Sequence, residues 1–182
     1  MNKILFTDFF GVIVKDSGNT WLQSHGLIEY KKEIFPLGDI GEISEGEVFN
    51  RLEKLSGVDK KEIFQDFESL AILNDKTVEY LREIKRLGFK IVVISNCYDS
   101  VLERRIKQFD LEDIFDDVII SYQVHMIKPY KEIFEYAYKK HCNGNSEIYY
   151  IDDQESNLKA PKELGWKTIL FNEKINLIEE LQ

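Results

Sequence analysis

Four groups of polar residues in this sequence could take part in chemistry, and each lies beside an apolar or helix-like stretch. The first is Asp8, which ends an apolar run that starts at Ile4, with Gly11 three residues further on. The other groups are Ser95-Asn96, Lys128-Pro129 and Asp152-Asp153. A strand ending in Asp8 would deliver this carboxylate to the carboxyl edge of a sheet, where open α/β folds bind their ligands. Polar groups that follow several strand-like runs in this way indicate a binding or catalytic site.

The elements that must position these residues alternate regularly after residue 74. Strand-length apolar runs are expected at Phe89–Ile94, Val118–Ile120, Glu147–Ile151 and Lys167–Phe171. Between them lie stretches with helical spacing, and two of these end at Gly88 and Gly165, typical residues for a helix end. Strands that alternate with helices indicate βαβ units and a parallel sheet. The predicted fold class is therefore α/β, a three-layer doubly wound parallel sheet that includes the N-terminal strand.

Residues 15–73 show helical spacing instead. Ser44 opens a Ser-x-x-Glu capping-box pattern before one apolar helix face, Asp59 opens a second, and shorter helices are expected before Pro36. Apolar residues at this spacing usually face inward, so the insert predicts a small helical bundle. The expected division of the chain is an α/β core of residues 1–14 and 74–182 with an α-helical cap of residues 15–73.

Composition narrows the class of partner. The 182 residues carry a net charge of −9, and without a Lys/Arg cluster this argues against nucleic-acid binding. The first apolar run is too short for a secretory signal, and no run reaches the length of a membrane span. Cys97 and Cys142 form neither a disulfide framework nor a zinc motif, and Cys97 is expected to be a reduced bystander. We therefore expect a cytoplasmic protein without nucleic-acid or membrane partners.

Taken in order, the four polar groups resemble the four motifs of the haloacid dehalogenase-like (HAD) hydrolase superfamily. The resemblance covers nearly the whole chain, because the insert after the first motif is similar to the α-helical cap of that family. The stretch from Asp152 through Asn157 to Gly165 most resembles the phosphatase branch that includes sugar-phosphate phosphatases and the N-terminal domain of soluble epoxide hydrolases. Each motif alone is a weak signal, but four motifs in order are specific.

The resemblance implies a Mg²⁺-dependent phosphatase that acts on a small phosphorylated metabolite. Asp8 would attack phosphorus and form an aspartyl-phosphate, while Lys128 would hold Asp8 and the phosphoryl group. The implied metal ligands are Asp8, the backbone carbonyl of Phe10, Asp153 and, directly or behind the others, Asp152. The groups expected to bind phosphoryl oxygens are Ser95, Asn96 and the backbone amides of the turn formed by Phe9, Phe10 and Gly11.

The sequence departs from this family at Phe10. HAD phosphatases usually carry a second aspartate there, which protonates the leaving group and then activates water. Loss of a general acid and base lowers a rate by about 10²–10⁴-fold. This predicts a slow phosphatase, or one that acts on substrates with good leaving groups. His25 and glutamates of the insert are candidate proton donors from the cap, although a solvated His25 is the simpler interpretation.

Two alternatives follow from Phe10. The 2-haloacid dehalogenases of this superfamily carry an aromatic residue at that position, attack carbon with an aspartate and need no metal. The pair Asp152-Asp153 resembles those enzymes poorly, and Arg51, the single arginine of the insert, is no evident counterpart of their halide-binding arginine. The second alternative is a catalytically impaired protein that binds a phosphorylated metabolite. An intact Asp8 argues against it, because a binding protein needs no nucleophile.

Overall fold

The computed structural model describes residues 2–181 and has a parallel five-stranded sheet at its centre. The strands are β1 (Asn2–Thr7), β2 (Lys90–Ser95), β3 (Asp117–Ile120), β4 (Ser146–Asp152) and β5 (Lys167–Leu170). Their order across the sheet is β3-β2-β1-β4-β5, so the chain extends the sheet to one side of β1 and then to the other. This confirms the predicted doubly wound α/β fold, and it places the switch point of the sheet at β1, where such folds bind ligands.

The helices include both insert helices and sheet-covering helices. Within residues 2–181 they are α1 (Ser17–Ser24), α2 (Lys31–Asp39), α3 (Glu45–Ser56), α4 (Lys60–Leu70), α5 (Asp75–Arg86), α6 (Val101–Gln108), α7 (Ser121–Val124), α8 (Lys131–His141), α9 (Glu155–Glu163) and α10 (Leu177–Glu180). The one-turn α7 was not predicted from the sequence, and α10 is shorter than the expected C-terminal helix. Across the described residues, no helix has the length and apolar character needed to cross a membrane.

Side chains of β1 alternate between two apolar clusters, one on each face of the sheet. Leu5 belongs to the cluster that contains residues of α5, α6 and α10, while Phe6 belongs to the cluster with residues of α8 and α9. The Phe6 ring stacks on Trp166 with a centroid separation of 4.8 Å. Since β1 is buried on both faces, its sequence is a continuous apolar run, as parallel central strands require.

The strand register brings the polar groups to one edge. Thr7, the last residue of β1, pairs with Val93 of β2 and with Ile151 of β4. The strands therefore end at the same carboxyl edge. Asp8 directly follows β1, while Ser95 and Asp152 are the last residues of β2 and β4, so all three lie at this edge.

The insert forms its own bundle of α1 to α4. Its apolar cluster includes the buried side chains of Trp21, Leu52 and Ile63. The side chain of Ser44 accepts a hydrogen bond from the Glu47 amide and thereby starts α3, as the capping-box pattern predicted. The expectation that short helices end before Pro36 was wrong, because α2 continues through Pro36 to Asp39. The apolar packing of Ile34 and Phe35 into the bundle holds this helix despite the hydrogen bond that a proline removes.

Two connections join the bundle to the sheet, and they run side by side. The Lys15 amide donates to the carbonyl of Ile72 at 2.9 Å, and the Asn74 amide donates to the carbonyl of Ile13 at 2.8 Å. The proposed division of the chain near residues 15 and 73 falls on this short ladder. Tyr98, from the loop after β2, also packs into the bundle, where its ring is parallel to that of Phe35 at 6.0 Å between centroids.

Candidate active site

Asp8 lies directly after β1 and is almost completely buried. Its backbone amide donates to the carbonyl of Ile151 at 2.8 Å, which extends the pairing with β4 by one residue. One carboxylate oxygen accepts a hydrogen bond from the Phe9 amide at 2.7 Å, and the other lies 2.8 Å from Nζ of Lys128. The strand end and these contacts fix the position of the carboxylate that the sequence singled out as a nucleophile.

Lys128 connects Asp8 to a second buried carboxylate. Its Nζ atom lies 2.8 Å from Oδ2 of Asp8 and 2.8 Å from Oδ2 of Asp152, and its side chain is 2% exposed. Burial lowers the pKa of this ammonium, but the charges of Asp152 and Asp8 outweigh that effect, so the pKa is raised above its ordinary value. Lys128 is therefore a fixed positive charge at the edge of the sheet.

Asn96 holds the backbone of Lys128. The Lys128 amide donates to Oδ1 of Asn96 at 2.8 Å, and Nδ2 of Asn96 donates to the Lys128 carbonyl at 2.9 Å. These two bonds occupy both ends of the Asn96 amide group. The structure thus gives Asn96 a positioning contact with Lys128, which the sequence analysis did not foresee when it assigned Asn96 to phosphoryl oxygens.

Asp152 uses both of its carboxylate oxygens within the protein. Oδ1 accepts from the Gln154 amide and from Nδ2 of Asn157, each at 2.9 Å. Oδ2 accepts from Nζ of Lys128 and from the hydroxyl of Tyr150. Burial alone would raise the pKa of Asp152. The charge of Lys128 and these hydrogen bonds have the opposite and larger effect, so the pKa is lowered below its ordinary value and the carboxylate is held ionised. With its oxygens engaged, Asp152 is placed to orient Lys128.

Asp153 points into the site from the other side. Its Oδ1 atom is buried and has no hydrogen-bond partner among the described residues. Gly11 leaves room for this carboxylate, because a β-carbon at residue 11 would lie 2.3 Å from Oδ2 of Asp153. Gly11 also has a φ of +93°, which few other residues adopt. Both features explain why a glycine follows the turn at Asp8.

The acidic residues fit a hard divalent cation. Asp8, Asp152 and Asp153 each offer a ligand atom, and these atoms all lie within 4.8 Å of one another. Burial and the neighbouring charge of Asp152 raise the pKa of Asp153 to about 6. Burial also raises the pKa of Asp8 well above its ordinary range, although Lys128 opposes this. Carboxylate oxygens are ligands that Mg²⁺ prefers, and a cation would offset this excess of negative charge.

Ser95 presents the other unsatisfied group. It ends β2, is fully buried, and its hydroxyl has no partner among the described residues. A buried hydroxyl without a partner is expensive, so this oxygen is suited to a ligand that approaches the strand ends. Cys97, two residues later, is also buried, and burial raises the pKa of its thiol well above the ordinary value. This supports the interpretation of Cys97 as a bystander.

Neither Phe10 nor His25 supplies a proton donor at the site. Phe10 packs against the apolar cluster of the sheet, with its ring edge-on to Phe9 at 5.1 Å between centroids. The His25 ring stacks on Trp21 at 4.0 Å and shares a hydrogen bond with the Trp21 carbonyl. His25 is therefore engaged with α1 of its own bundle, which agrees with the simpler interpretation that it is not a proton donor.

The structure adds site residues that sequence reasoning missed. Tyr150 and Asn157 orient Asp152, and Asp39 of the cap carries a pKa raised to about 7 by burial. Asn157 could have been found from its spacing of five residues after Asp152. Asp39 carries no such signal, because its relation to the site depends on how α2 docks on the core.

A family model described as haloacid dehalogenase-like hydrolase matches residues 59–171, more than half of the chain. The chain belongs to this family. Its four motifs indicated the same family. The matched range includes Ser95, Lys128 and Asp153 and begins after Asp8.

Relatives of this chain include phosphatases and dehalogenases. Bifunctional epoxide hydrolase 2 of Rattus norvegicus is 28% identical in an alignment that covers 66% of this chain and 23% of that protein. A D-ribitol-5-phosphate phosphatase of Bacteroides thetaiotaomicron is 27% identical in an alignment that covers 92% of this chain and 91% of that protein. An (S)-2-haloacid dehalogenase of a Pseudomonas species is 26% identical over 56% of this chain and 44% of that protein. The chain spans less than half the length of the first relatives it matches.

Solved structures share the whole fold. A crystal structure of a HAD family enzyme from Bacteroides thetaiotaomicron has a TM-score of 0.80 at 22% identity and covers 100% of this chain and 98% of that chain. A second structure of that enzyme, in complex with magnesium and inorganic phosphate, has a TM-score of 0.77 at 23% identity and covers 100% of both chains. At these identities the likeness establishes a common fold.

Proposed function

We propose that this protein is a Mg²⁺-dependent phosphatase that hydrolyses a small phosphorylated metabolite through an aspartyl-phosphate on Asp8. The observation that carries the proposal is the bridge that Lys128 makes between Asp8 and Asp152, with Nζ 2.8 Å from each carboxylate. This arrangement fixes a nucleophilic oxygen beside a positive charge. A phosphate monoester repels nucleophiles through its own charge, so a site must neutralise that charge and align the reacting atoms.

Each residue has a separate task in this mechanism. The Asp8 carboxylate attacks phosphorus, and Lys128 stabilises the negative charge that gathers on the phosphoryl oxygens. The Ser95 hydroxyl, for which residues 2–181 offer no partner, donates to one of these oxygens. Asn96 and Asp152 hold Lys128 in place, through its backbone and its ammonium respectively.

Asp8, Asp153 and the backbone carbonyl of Phe10 would hold the metal ion, and Asp152 would support them. Asp153 has a buried oxygen free for a ligand, whereas hydrogen bonds engage both oxygens of Asp152. A bound Mg²⁺ would supply charge neutralisation between the nucleophile and the phosphoryl group. The magnesium and phosphate bound by the structural relative support this assignment.

A 2-haloacid dehalogenase is the second candidate. Phe10 and the similarity to a Pseudomonas dehalogenase favour it. Against it stand the buried free oxygen of Asp153 and the close approach of three carboxylates, which suit a cation that dehalogenation does not need. Phosphatase activity that requires a divalent metal therefore separates the two functions.

The test is the release of p-nitrophenol from p-nitrophenyl phosphate and of phosphate from acetyl phosphate, with Mg²⁺ and with EDTA. Both leaving groups depart without much help from an acid, so Phe10 should not prevent turnover. We expect activity that EDTA abolishes and that Asp8→Asn reduces to background, while Asp110→Asn, an exposed control on the core, has no effect. Activity that persists in Asp8→Asn would refute the proposed nucleophile. If no substrate is hydrolysed, release of chloride from 2-chloropropionate tests the dehalogenase.

A protein that only binds its ligand would behave differently. Asp8→Asn removes a negative charge that faces the phosphoryl group, so a binding protein should retain or strengthen its affinity for inorganic phosphate in the presence of Mg²⁺. Isothermal titration of both proteins with phosphate measures this. Binding without turnover of either test substrate would favour the binding protein over the enzyme.

The position of Phe10 gives a further prediction. Phe10→Asp places a carboxylate where related phosphatases carry their general acid and base. If a missing proton limits the rate, turnover of phenyl phosphate should rise, by up to about 10²-fold. The loss of the Phe9–Phe10 ring contact will offset part of this gain through lower stability. Unchanged turnover in a folded variant would indicate that another residue supplies the proton.

A further inference from the structure

Phe10 leaves the site without the aspartate that usually serves as general acid, and residues of the cap that reach the core are candidates for this role. The segment of residues 38–41, at the end of α2, docks on the loops that follow β2 and β3. A β-carbon at Gly38 would lie 3.0 Å from Cβ of Tyr98, so the backbone of α2 approaches the β2 loop closely. Nδ1 of His125 lies 2.8 Å from the carbonyl of Ile40, which ties the same segment to the loop that leads to Lys128.

Asp39 occupies the middle of this docked segment. Its side chain is partly exposed, and none of the hydrogen bonds or ion pairs of the described residues involves its carboxylate. The carboxylate is therefore not committed to a partner among residues 2–181. Carboxylates placed in this way can exchange protons with a ligand.

The docking contacts of its two neighbours place Asp39 between two loops of the site. Gly38 packs on Tyr98, three residues after Ser95, and the carbonyl of Ile40 contacts His125, three residues before Lys128. Burial raises the pKa of Asp39 to about 7, while Lys31 and Lys128 lower it and Asp16 raises it. After burial, the charge of Asp39 raises the pKa of the Cys97 thiol. The titratable groups that face it from the surrounding elements are Asp16, Lys31, Cys97, Tyr98, His125 and Lys128.

Other cap groups that face the core are committed elsewhere. Asp16 accepts a hydrogen bond from the Asn19 amide at 2.9 Å and so caps α1. Glu45 pairs with Arg104, and Glu68 pairs with Arg105. A carboxylate in an ion pair is held ionised and cannot serve as an acid near neutral pH. This contrast singles out Asp39.

We propose that Asp39 is the general acid and general base of the reaction, in place of the aspartate that Phe10 replaces. The inference rests on the proposed phosphatase function. In the first step an Asp8 oxygen bonds to phosphorus, the bond from phosphorus to the leaving oxygen breaks, and that oxygen takes the proton of the Asp39 carboxyl group. In the second step the Asp39 carboxylate takes a proton from water, whose oxygen bonds to phosphorus as the bond to Asp8 breaks.

A comparison of leaving groups tests this role. Phenol needs a proton to leave, whereas p-nitrophenolate leaves readily without one. In Asp39→Asn the single-turnover release of phenol from phenyl phosphate should fall by about 10²–10⁴-fold, and release of p-nitrophenol should fall far less. Glu33→Gln removes an exposed carboxylate from the same helix, and we expect it to leave both rates unchanged.

The pH profile and a rescue variant supply independent readouts. Release of phenol by the natural protein should decline above about pH 7, because the acid must be protonated, and Asp39→Asn should lack this decline. Asp39→Glu should keep part of the rate of phenol release and of its decline with pH. Phe10→Asp should restore phenol release in the Asp39→Asn background.

Two results would overturn the proposal. Equal losses on both substrates in Asp39→Asn would show a structural role for the cap contact instead of proton transfer. The second result would be a wild-type protein that releases p-nitrophenol but whose release of phenol does not decline above about pH 7. This would exclude Asp39 as the acid and leave the phosphatase function intact. If the wild-type protein hydrolyses neither ester in an Asp8-dependent manner, the phosphatase function itself fails and this role fails with it.

Discussion

The carboxyl edge of the sheet and the cap differ in how their charges are held. At the sheet edge, Asp8, Lys128 and Asp152 are buried, and each contacts another member of the group within 2.8 Å. In the cap, Asp39 is partly exposed and has no such contact within residues 2–181. A fixed set of charges suits the step that the proposed mechanism shares among all substrates, which is attack on phosphorus. A carboxylate on a separate bundle suits tasks that depend on the rest of the substrate.

The two regions are also attached differently. The sheet edge is continuous with the hydrogen-bonded strands. The cap meets the core through two chain connections, the Tyr98 contact, the contact of His125 with the Ile40 carbonyl and ion pairs from α6. Arg105 is 3% exposed and pairs with Glu68 at 2.6 Å, and the neighbouring Arg104 pairs with Glu45. A bundle attached by a few polar contacts can open at lower free energy than a strand can leave a sheet. The following predictions test this contrast, in order of decreasing effect.

The largest effect is expected from Lys128→Met. The change leaves Asp8 and Asp152 buried beside each other without their shared cation. Removal of one partner from a buried ion pair destabilises a protein by about 3–5 kcal/mol. Phosphatase turnover should fall at least about 10²-fold as well. Urea unfolding and p-nitrophenyl phosphate assays measure both quantities. As a control, Lys131→Met removes an exposed partner of Glu135 and should change the free energy of unfolding by less than about 1 kcal/mol. Equal losses of stability in the two variants would refute the idea that the charges at the sheet edge are fixed in advance.

The next largest effect is expected from Gly11→Ala. The new methyl group would overlap with the Asp153 carboxylate and would force an alanine into a φ of +93°. We expect a loss of about 1–3 kcal/mol in the free energy of unfolding and weaker Mg²⁺ binding, since Asp153 must move. Thermal denaturation with and without Mg²⁺ measures both. Gly46→Ala, within α3, meets no close atom and should be neutral or stabilising; a similar loss there would contradict the crowding argument.

A smaller effect of opposite sign is expected from Asp39→Asn. The folded protein raises the pKa of Asp39 from 3.8 to about 7, so it binds this proton more tightly than the unfolded chain does. The resulting instability is absent below about pH 4, grows as the pH rises and is complete above about pH 7. Asp39→Asn should therefore stabilise the protein by about 1–2 kcal/mol at about pH 8, because part of the carboxylate remains solvated, and hardly at all at about pH 4. Urea unfolding at both pH values checks this. A variant less stable than wild type at the higher pH would exclude an unfavourably buried carboxylate.

The smallest effect on stability is expected from Arg105→Met. It breaks the pair with Glu68, whose side chain is 35% exposed and can regain water. We expect a loss of about 1 kcal/mol. Because the contact joins α6 to the cap, KM should rise and protease cleavage of the cap connections should become faster. Arg82→Met breaks a surface pair with Asp113 on the core and serves as the control. Equal sensitivity to protease in both variants would argue against an ion pair that holds the cap.

The sequence by itself determined the core of this protein. Buried parallel strands are continuous apolar runs, and helices end at glycines, so local patterns predicted the alternation of elements and the fold class. The residues after those runs were then bound to share one edge, since parallel strands present the same end to solvent. Asp8, Ser95 and Asp153 could be chosen on that ground, whereas Lys128 lies beyond β3 and α7, before α8. The family resemblance supplied the proposed roles of all four.

Only the tertiary structure decided how those residues are used. Asn96 contacts the Lys128 backbone, and Asp152 is enclosed by hydrogen bonds from residues on several elements, which no local spacing reveals. The helix through Pro36 persists because packing of the bundle outweighs a local propensity. Asp39 lies beside loops of the site only because α2 docks on segments more than 50 residues away in the chain. Such contacts join distant segments, and their energies depend on burial and charge that exist only once the chain has folded.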